Sequence, residues 1–164
     1  MTTTELLLAS LDEAYDKRSW HGTNLRGSLR GVTVEQAAFR VQPGSHNIWE
    51  LVVHAAYWKN DIRRRLTLGE ATASGRRVEG FALEGRDFWD RPVDCTEAEW
   101  KADLALLQHE HKQLRAAVEA FPASRWTRKA PGKPFNFEGL VRGVAAHDLY
   151  HAGQIQLLKR LQES

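Results

Sequence analysis

The sequence predicts an all-α protein, a helical bundle that occupies residues 1–164 as a single domain. Four segments repeat apolar residues at spacings of three and four, which is typical of helices with one buried face. No run of alternating β-branched residues indicates a strand. A chain of 164 residues, 42% hydrophobic and 27% charged, has the size and composition of one globular domain. Four long helices in so short a chain favour an antiparallel four-helix bundle.

The first predicted helix covers about residues 3–19. Thr2 and Glu5 have the spacing of a capping box ahead of the run LLLASLDEAYDKR. The segment WHGTNLRGSLRG then interrupts the helix with its glycines, and TVEQAAFRVQPG holds at most a short helical piece before Pro43 and Gly44.

The second predicted helix is NIWELVVHAAYWKNDIRRRLTLGE, with Ser45 or Asn47 as its cap and Gly69 as its stop. Its first turn contains Glu50, three residues after Asn47. The stripe expected to be buried consists of Ile48, Leu51, His54 or Ala55, Trp58, Ile62 and Leu66.

The third and fourth predicted helices have the most regular stripes. The third begins at a capping box of Thr96 and Glu99 and ends before Pro122, and the fourth opens near Asn136 and continues to the end of the chain. The third stripe is Trp100, Leu104, Leu107, His111, Leu114, Val118 and Phe121. The fourth is Leu140, Val144, His147, His151, Ile155 and Leu158.

Two long connections, residues 70–95 and 122–135, separate the last three helices. Loops of this length are uncommon inside a compact domain and are often functional. The first contains Phe81, Phe88 and Trp89, which we expect to cover one end of the bundle and to help shape a pocket.

Composition excludes several classes of protein. A net charge of +2 is too small to favour nucleic acid as a partner. No apolar run approaches the about 20 residues of a membrane helix, and the N-terminal stretch lacks the basic region of a signal peptide. Cys95 is the sole cysteine, which fits a reducing compartment. We therefore expect a cytoplasmic protein with no membrane or nucleic-acid partner.

Four of the seven histidines fall within the apolar stripes: His54, His111, His147 and His151. Taken singly, each is most simply a hydrogen-bonded core residue. A buried imidazole whose nitrogens lack partners costs about 1–3 kcal/mol, and several in one core multiply that cost. A divalent metal ion removes the difficulty by taking one nitrogen from each ring.

The pair on the fourth helix has the geometry that such an ion needs. His147 and His151 are four residues apart, so their rings lie one turn apart on one face. His54 lies on the inward stripe of another helix and is the candidate third ligand. Three neutral nitrogens leave one coordination position open, which is the pattern of a reactive metal site.

The other histidines have simpler interpretations. His111 is a fourth ligand, a residue that supports a ligand, or a core residue, and we favour the last two. His109 points to another face of its helix, whereas His21 and His46 lie in or beside loops and are expected to be solvated.

Several residues near these histidines leave alternatives open. Glu50 orients a ligand, acts as a base for metal-bound water, or caps its helix, and capping is the simplest of these. Asp148 is expected at the surface, because it projects about a quarter-turn away from His147. The run Arg63 to Arg65 is most simply a solvated helix end, with an anionic-substrate site as the alternative. The aromatic residues Tyr57, Trp58 and Tyr150 line the pocket or belong to the core.

The segments NIWELVVHAAYWKNDIRRRL and VAAHDLYHAGQIQLLKR resemble the DinB/YfiT-like superfamily of metal-dependent proteins. The resemblance extends in order over nearly the whole chain and includes the terminal motif HxxxHxGQI. It implies a four-helix bundle of up-down-down-up order, often dimeric, with three histidines holding a divalent metal, usually zinc or nickel. By position these ligands are His54, His147 and His151.

The resemblance also implies two kinds of chemistry. Some relatives transfer groups to, or isomerise with, a low-molecular-weight thiol such as bacillithiol, mycothiol or glutathione, and others are described as hydrolases. We therefore expect a homodimeric, metal-dependent enzyme that activates a thiol or water toward a small-molecule substrate. The alternatives are a non-enzymatic stress protein that binds a metal or a small ligand, and a purely structural role for the histidines.

Overall fold

The regular structure of the protein is helical. The computed structural model describes residues 1–74, 80–85 and 87–163, and within these ranges it contains no strand, only an isolated bridge between Lys129 and Asn136. The prediction of an all-α protein is confirmed. The helices are α1 (Thr3–Tyr15), α2 (Leu25–Ser28), α3 (Val34–Ala38), α4 (Ile48–Ser74), α5 (Glu97–Ala120) and α6 (Phe137–Gln162), with a 3-10 turn at Ala123–Arg125.

The predicted helix starts are confirmed. The Thr2 hydroxyl accepts from the Glu5 amide at 3.2 Å while the Glu5 carboxylate accepts from the Thr2 amide at 2.7 Å, which completes a capping box. Asn136 caps α6 by accepting from the Gly139 amide at 2.8 Å. Since each cap satisfies amides that the first turn leaves without intrahelical acceptors, these local signals place the starts reliably.

The start of α5 differs in one respect from the predicted capping box. Thr96 accepts from the Glu99 amide at 3.2 Å, as predicted. The Glu99 carboxylate, however, accepts from the amides of Val93, Asp94 and Cys95 rather than from that of Thr96. Glu99 therefore fixes the end of the preceding loop against the helix.

Two predicted helix ends are wrong. Helix α1 ends at Tyr15 rather than near residue 19, because the chain turns where the Asn24 amide group donates to the Lys17 carbonyl at 2.8 Å. Asn24 also caps α2, a helix that the sequence reasoning missed. Helix α4 continues through Gly69 to Ser74. A glycine inside a helix costs only about 1 kcal/mol relative to alanine, which a packed helix tolerates.

The four longest helices, α1, α4, α5 and α6, each pack against two of the others. Helix α4 contacts α5 and α6, and α1 contacts the same two helices from the other side. Two apolar clusters fill the space between them, one around Trp49 and Trp100 and the other around Leu11, Leu114 and Trp126. Burial of each large apolar side chain contributes on the order of 1.5–3 kcal/mol.

The described part of the loop before α5 packs onto the first of these clusters. Phe81, Phe88 and Trp89 are partly buried against the cluster that contains Trp49 and Trp100. The three rings thus pack on the core, while their predicted roles in covering one end of the bundle and in shaping a pocket stay predictions. In the described ranges, none of the helices has the length and apolar composition needed to cross a bilayer.

Candidate metal centre

The three predicted ligands lie together in the interior. His54 is on the second turn of α4, and His147 and His151 are one turn apart on α6. The His147 Nε2 atom is 3.0 Å from His54 Nε2 and 2.9 Å from His151 Nε2. Candidate ligand atoms of the three residues all lie within 4.8 Å of one another. The structure therefore brings the three rings to one point, and their occupation by a metal stays a prediction.

The loop before α5 fixes the orientation of His54. Its Nδ1 atom lies 2.6 Å from the carbonyl oxygen of Asp87, an acceptor only, so Nδ1 carries the proton and Nε2 presents a lone pair. Phe88 stacks on the His54 ring with centroids 4.0 Å apart, and His46 stacks on Phe88 at 3.7 Å. Asp87 adopts the left-handed backbone region, with a φ of 71°, to make this contact.

His151 is oriented by a residue of its own helix. Its Nδ1 atom lies 2.6 Å from Oε1 of Gln154, and the Gln154 amide nitrogen faces the Tyr150 hydroxyl at 3.4 Å. With the amide in this orientation, Nδ1 donates and Nε2 of His151 presents a second lone pair toward His147.

His147 cannot satisfy both neighbours. Its Nε2 atom can donate one proton to one of the two facing lone pairs and leaves the other without a donor. Its Nδ1 atom is buried and makes no hydrogen bond with any described residue. This arrangement fits a cation, because three nitrogens about 2.0–2.1 Å from one tetrahedral ion lie roughly 3.3–3.4 Å apart. The two separations that His147 makes, 3.0 and 2.9 Å, lie within about 0.5 Å of this value.

Burial keeps the three imidazoles in the neutral form that a ligand needs. It lowers the pKa of His147 to about 3 and that of His151 to about 4, with the neighbouring histidines adding to both shifts. Burial also lowers the pKa of His54, and the Asp87 carbonyl opposes this shift. The rings are therefore neutral at physiological pH, so no ring has to lose a charge-bearing proton before it can act as a ligand.

A cavity of about 580 Å³ adjoins the histidines. His54 and His147 form part of its wall, and Trp58, predicted as pocket or core, lines it beside them. The other pocket candidates lie elsewhere: Tyr57 packs edge-on against Phe81 and Trp89, and Tyr150 is 64% exposed.

Asp148 is buried, which corrects the prediction of a surface position. It pairs directly with Lys59 of α4, and neither side chain is exposed to solvent. The prediction assumed one narrow buried stripe, whereas α6 contacts α1, α2 and α4 and so buries a wide arc.

His111 is a core residue that lies apart from the three histidines. It stacks on Tyr15 of α1, with ring centroids 3.8 Å apart. Burial, together with Lys59 and Arg115, lowers its pKa to about 3. His21 and His46 are exposed, as predicted, and His109 is exposed on α5 while His111 is buried. His46 also lies 2.9 Å from a Glu50 carboxylate oxygen.

Glu50 anchors the segment that precedes α4. Its carboxylate pairs with Arg40 and His46, while its amide donates to the Asn47 side chain at 2.8 Å. Burial alone would raise the pKa of Glu50, but Arg40 and His46 hold it below its usual value. Of the predicted alternatives, the structure thus shows Asn47 rather than Glu50 as the capping side chain.

The arginine run is not simply a solvated helix end. Arg63 is buried, with Nε 3.6 Å from Glu110 of α5, and Arg65 pairs with Asp61 at 2.8 Å. Arg64 alone is exposed in the manner predicted.

Sequence reasoning missed residues that orient the site. Gln154 had a usable signal, since it lies three residues after His151 in the motif HxxxHxGQI. Asp87 had none, because it contributes a backbone carbonyl from a loop without periodicity.

Comparison with known proteins gives one match. The family model of the DinB superfamily matches residues 17–155, a range that covers well over half of the chain and includes all three histidines. No curated protein and no solved structure matches the chain.

Proposed function

The chain belongs to the DinB superfamily, and from this membership and the histidine geometry we propose that it is a metal-dependent enzyme that acts on a small molecule. His54, His147 and His151 hold zinc or nickel. The observation that supports this most directly is the convergence of their Nε2 atoms, which lack the protons to satisfy one another. Imidazole suits both metals equally, so the ligand set does not choose between them.

The proposed chemistry is activation of a low-molecular-weight thiol or of water. When bound, the divalent ion lowers the pKa of a thiol or water at its open position and so supplies a nucleophile at neutral pH. Asp87 and Gln154 hold the His54 and His151 rings in the tautomer that presents Nε2. Trp58 and the apolar residues Ile62, Leu140 and Val144 line the adjoining cavity.

The direction of the helices supports the proposed up-down-down-up four-helix bundle. Contacts between α4 and α5 pair residues whose numbers rise together, so these helices run in the same direction. Contacts of α1 with α5 and of α4 with α6 pair rising with falling numbers, so these pairs run in opposite directions. The pairs are Trp49–Asp103 and Asn60–Glu110, Asp12–Arg115 and Tyr15–His111, and His54–His151 and Trp58–His147.

The cellular setting completes the proposal. We propose a single-domain, cytoplasmic homodimer with a small-molecule substrate and neither nucleic acid nor membrane as a partner. The small net charge of +2 and the solitary cysteine support this setting. Light scattering of the purified protein tests the oligomeric state.

Single replacement of each histidine tests the metal centre. We expect His54→Ala, His147→Ala and His151→Ala each to lose stoichiometric zinc or nickel, measured by elemental analysis, because two ligands hold the ion far more weakly than three. The helical circular dichroism should persist. His109→Ala is the matched control, since His109 is exposed on α5. Stoichiometric metal in all three variants would contradict the proposal.

Activity assays separate an enzyme from a binding protein. Metal-loaded and metal-free samples are compared in thiol conjugation to small electrophiles, with bacillithiol, mycothiol and glutathione, and in ester hydrolysis. Turnover that requires both the metal and the three histidines supports the enzyme. Tight metal binding with no turnover in any assay supports the non-enzymatic binding protein instead.

A further inference from the structure

The cavity beside the histidines has apolar walls and a cation near one side. We propose that it binds an amphipathic organic anion, with the apolar body against α4 and α6 and the anionic group at Lys133. The inference rests on the proposed function, because it assigns a substrate class to the same metal centre. It concerns binding, however, and is testable in metal-free protein.

The walls are built from large apolar side chains. Trp58 and Ile62 of α4 face Leu140 and Val144 of α6 across the cavity. The last three are 5%, 7% and 4% exposed, so the packed core holds them in place. A volume of about 580 Å³ lies within the range of about 300–1,000 Å³ that is usual for small-molecule sites. An apolar body of one or two rings fits such a space.

Gly143 on α6 keeps part of this space open. A Cβ atom built at Gly143 would meet nothing within 4 Å, so the residue is not required by close packing. Gly139, one turn earlier, differs, because its Cβ would lie 2.9 Å from the Asn136 oxygen that caps the helix. Glycine inside a helix costs about 1 kcal/mol relative to alanine. Because Gly143 lines the cavity and a Cβ there would meet open space, a larger side chain at this position would occupy part of the cavity.

Lys133 gives the cavity a positive charge that the protein itself does not neutralise. Its Nζ atom lies 5.7 Å from the centroid of the Trp58 ring, and no carboxylate in the described ranges pairs with it. The acidic residue of the cavity, Asp87, is already engaged: its Oδ1 accepts from Trp58 Nε1 at 3.0 Å and lies 3.2 Å from His54 Nδ1. The Asp87 carboxylate thus keeps its charge on the His54 side of the cavity, and the group available to pair with an anionic ligand is the Lys133 ammonium.

Phe135 adds an exposed apolar surface at the same place. Its ring is 59% exposed although it lines the cavity. A ligand whose apolar part extends past Lys133 would cover this ring, which favours an amphipathic anion over a small inorganic one.

A pair of fluorescent probes tests the proposal in metal-free protein. 8-Anilinonaphthalene-1-sulfonate is an apolar anion, and N-phenyl-1-naphthylamine has the same apolar body without the charge. We expect Gly143→Leu to weaken both probes at least 10-fold, because the new side chain occupies the cavity. We expect Lys133→Gln to weaken the sulfonate about 5- to 10-fold and the neutral amine less than 2-fold.

Two matched variants control for nonspecific effects. Gly153→Leu makes the same change on α6, where a Cβ also meets nothing within 4 Å, but away from the cavity. Lys101→Gln removes an equivalent charge, 75% exposed, beside a second cleft that carries several basic residues. Neither control should change either dissociation constant by more than 2-fold. Circular dichroism confirms that every variant is folded.

The measurements distinguish an error in this inference from an error in the proposal of a metal centre. His151→Ala should lose the metal and keep the sulfonate probe, because His151 does not line the cavity. The inference is overturned if wild type does not bind the sulfonate, if Gly143→Leu leaves its affinity unchanged, or if Lys133→Gln weakens both probes equally. Any of these results together with intact metal binding leaves the metal centre standing.

Discussion

Two neighbouring residues of α6 belong to polar clusters of opposite character. His147 is one of three neutral imidazoles, and the cluster adjoins a cavity. Asp148 joins a closed cluster, in which it pairs with Lys59 while the Lys59 ammonium lies 5.2 Å from the centroid of the Tyr15 ring. The closed cluster balances charge within the chain and ties α1, α4 and α6 together. In the histidine cluster the rings are neutral, and one nitrogen lone pair is left without a donor. Two adjacent residues of one helix therefore belong to clusters that differ in charge and in burial.

The largest effect should come from breaking the closed cluster. Lys59→Met leaves Asp148 as a buried carboxylate without its cation and should lower the free energy of unfolding by about 3–5 kcal/mol. Urea denaturation of metal-free protein measures it. The double variant Lys59→Met/Asp148→Leu should recover much of the loss, because no charge then remains buried.

An exposed ion pair provides the control for that experiment. Lys101 and Glu97 are 75% and 65% exposed, so Lys101→Met should change the free energy of unfolding by less than about 1 kcal/mol. If Lys59→Met lowered the free energy of unfolding as little as Lys101→Met, the buried pair would contribute no more to stability than an exposed one.

The second effect is a pH dependence of the free energy of unfolding that arises from His111, which stacks on Tyr15 of the closed cluster. Its pKa is about 3 in the folded protein and about 6.5 when unfolded. Above pH 6.5 the ring is neutral in both states and stability does not vary with its titration. As the pH falls below that value, only the unfolded chain takes up the proton, so stability decreases, by about 2 kcal/mol at pH 5.

Replacement of His111 isolates this contribution. His111→Phe preserves an aromatic ring beside Tyr15 but cannot titrate. The difference in unfolding free energy between variant and wild type should therefore shift by about 2 kcal/mol in favour of the variant between pH 7 and pH 5. Parallel pH profiles from urea denaturation of the metal-free proteins would contradict the expectation.

A third effect, on metal affinity rather than on stability, should come from the support of the histidine cluster. Gln154→Leu removes the acceptor that fixes the His151 tautomer and should weaken metal binding about 10- to 100-fold, with little change in stability. Competition with a chelating dye measures the affinity. Gln156→Leu, two residues along α6, is the control and should leave the affinity unchanged. Equal losses in both variants would mean that Gln154 acts only through general packing.

Local signals predicted the helices well. The caps at Thr2 and Asn136 are set by hydrogen bonds within one turn, so the residue types at fixed spacing suffice to place them. The end of α4 was not marked in the same way, since the predicted stop, Gly69, lies inside the helix, where a glycine costs only about 1 kcal/mol relative to alanine.

The sequence was sufficient to predict which three histidines come together, but not which residues surround them. His147 and His151 follow from helical spacing, and His54 from its place on the inward stripe. The burial of Asp148 depends on how many helices surround α6, which no short pattern encodes. No sequence pattern marks Lys133 as a cavity residue, because it approaches Trp58 only through the fold of the connection before α6.

The contact between the Asp87 carbonyl and His54 makes the state of a candidate ligand depend on the loop before α5. If the loop moved away, the proton of His54 would be free to migrate to Nε2, and that nitrogen could then no longer hold an ion. A substitution or insertion far along the chain would thus tune affinity for the ion without touching a ligand. The loop before α5 would in this way influence the three histidines although it contributes none of them.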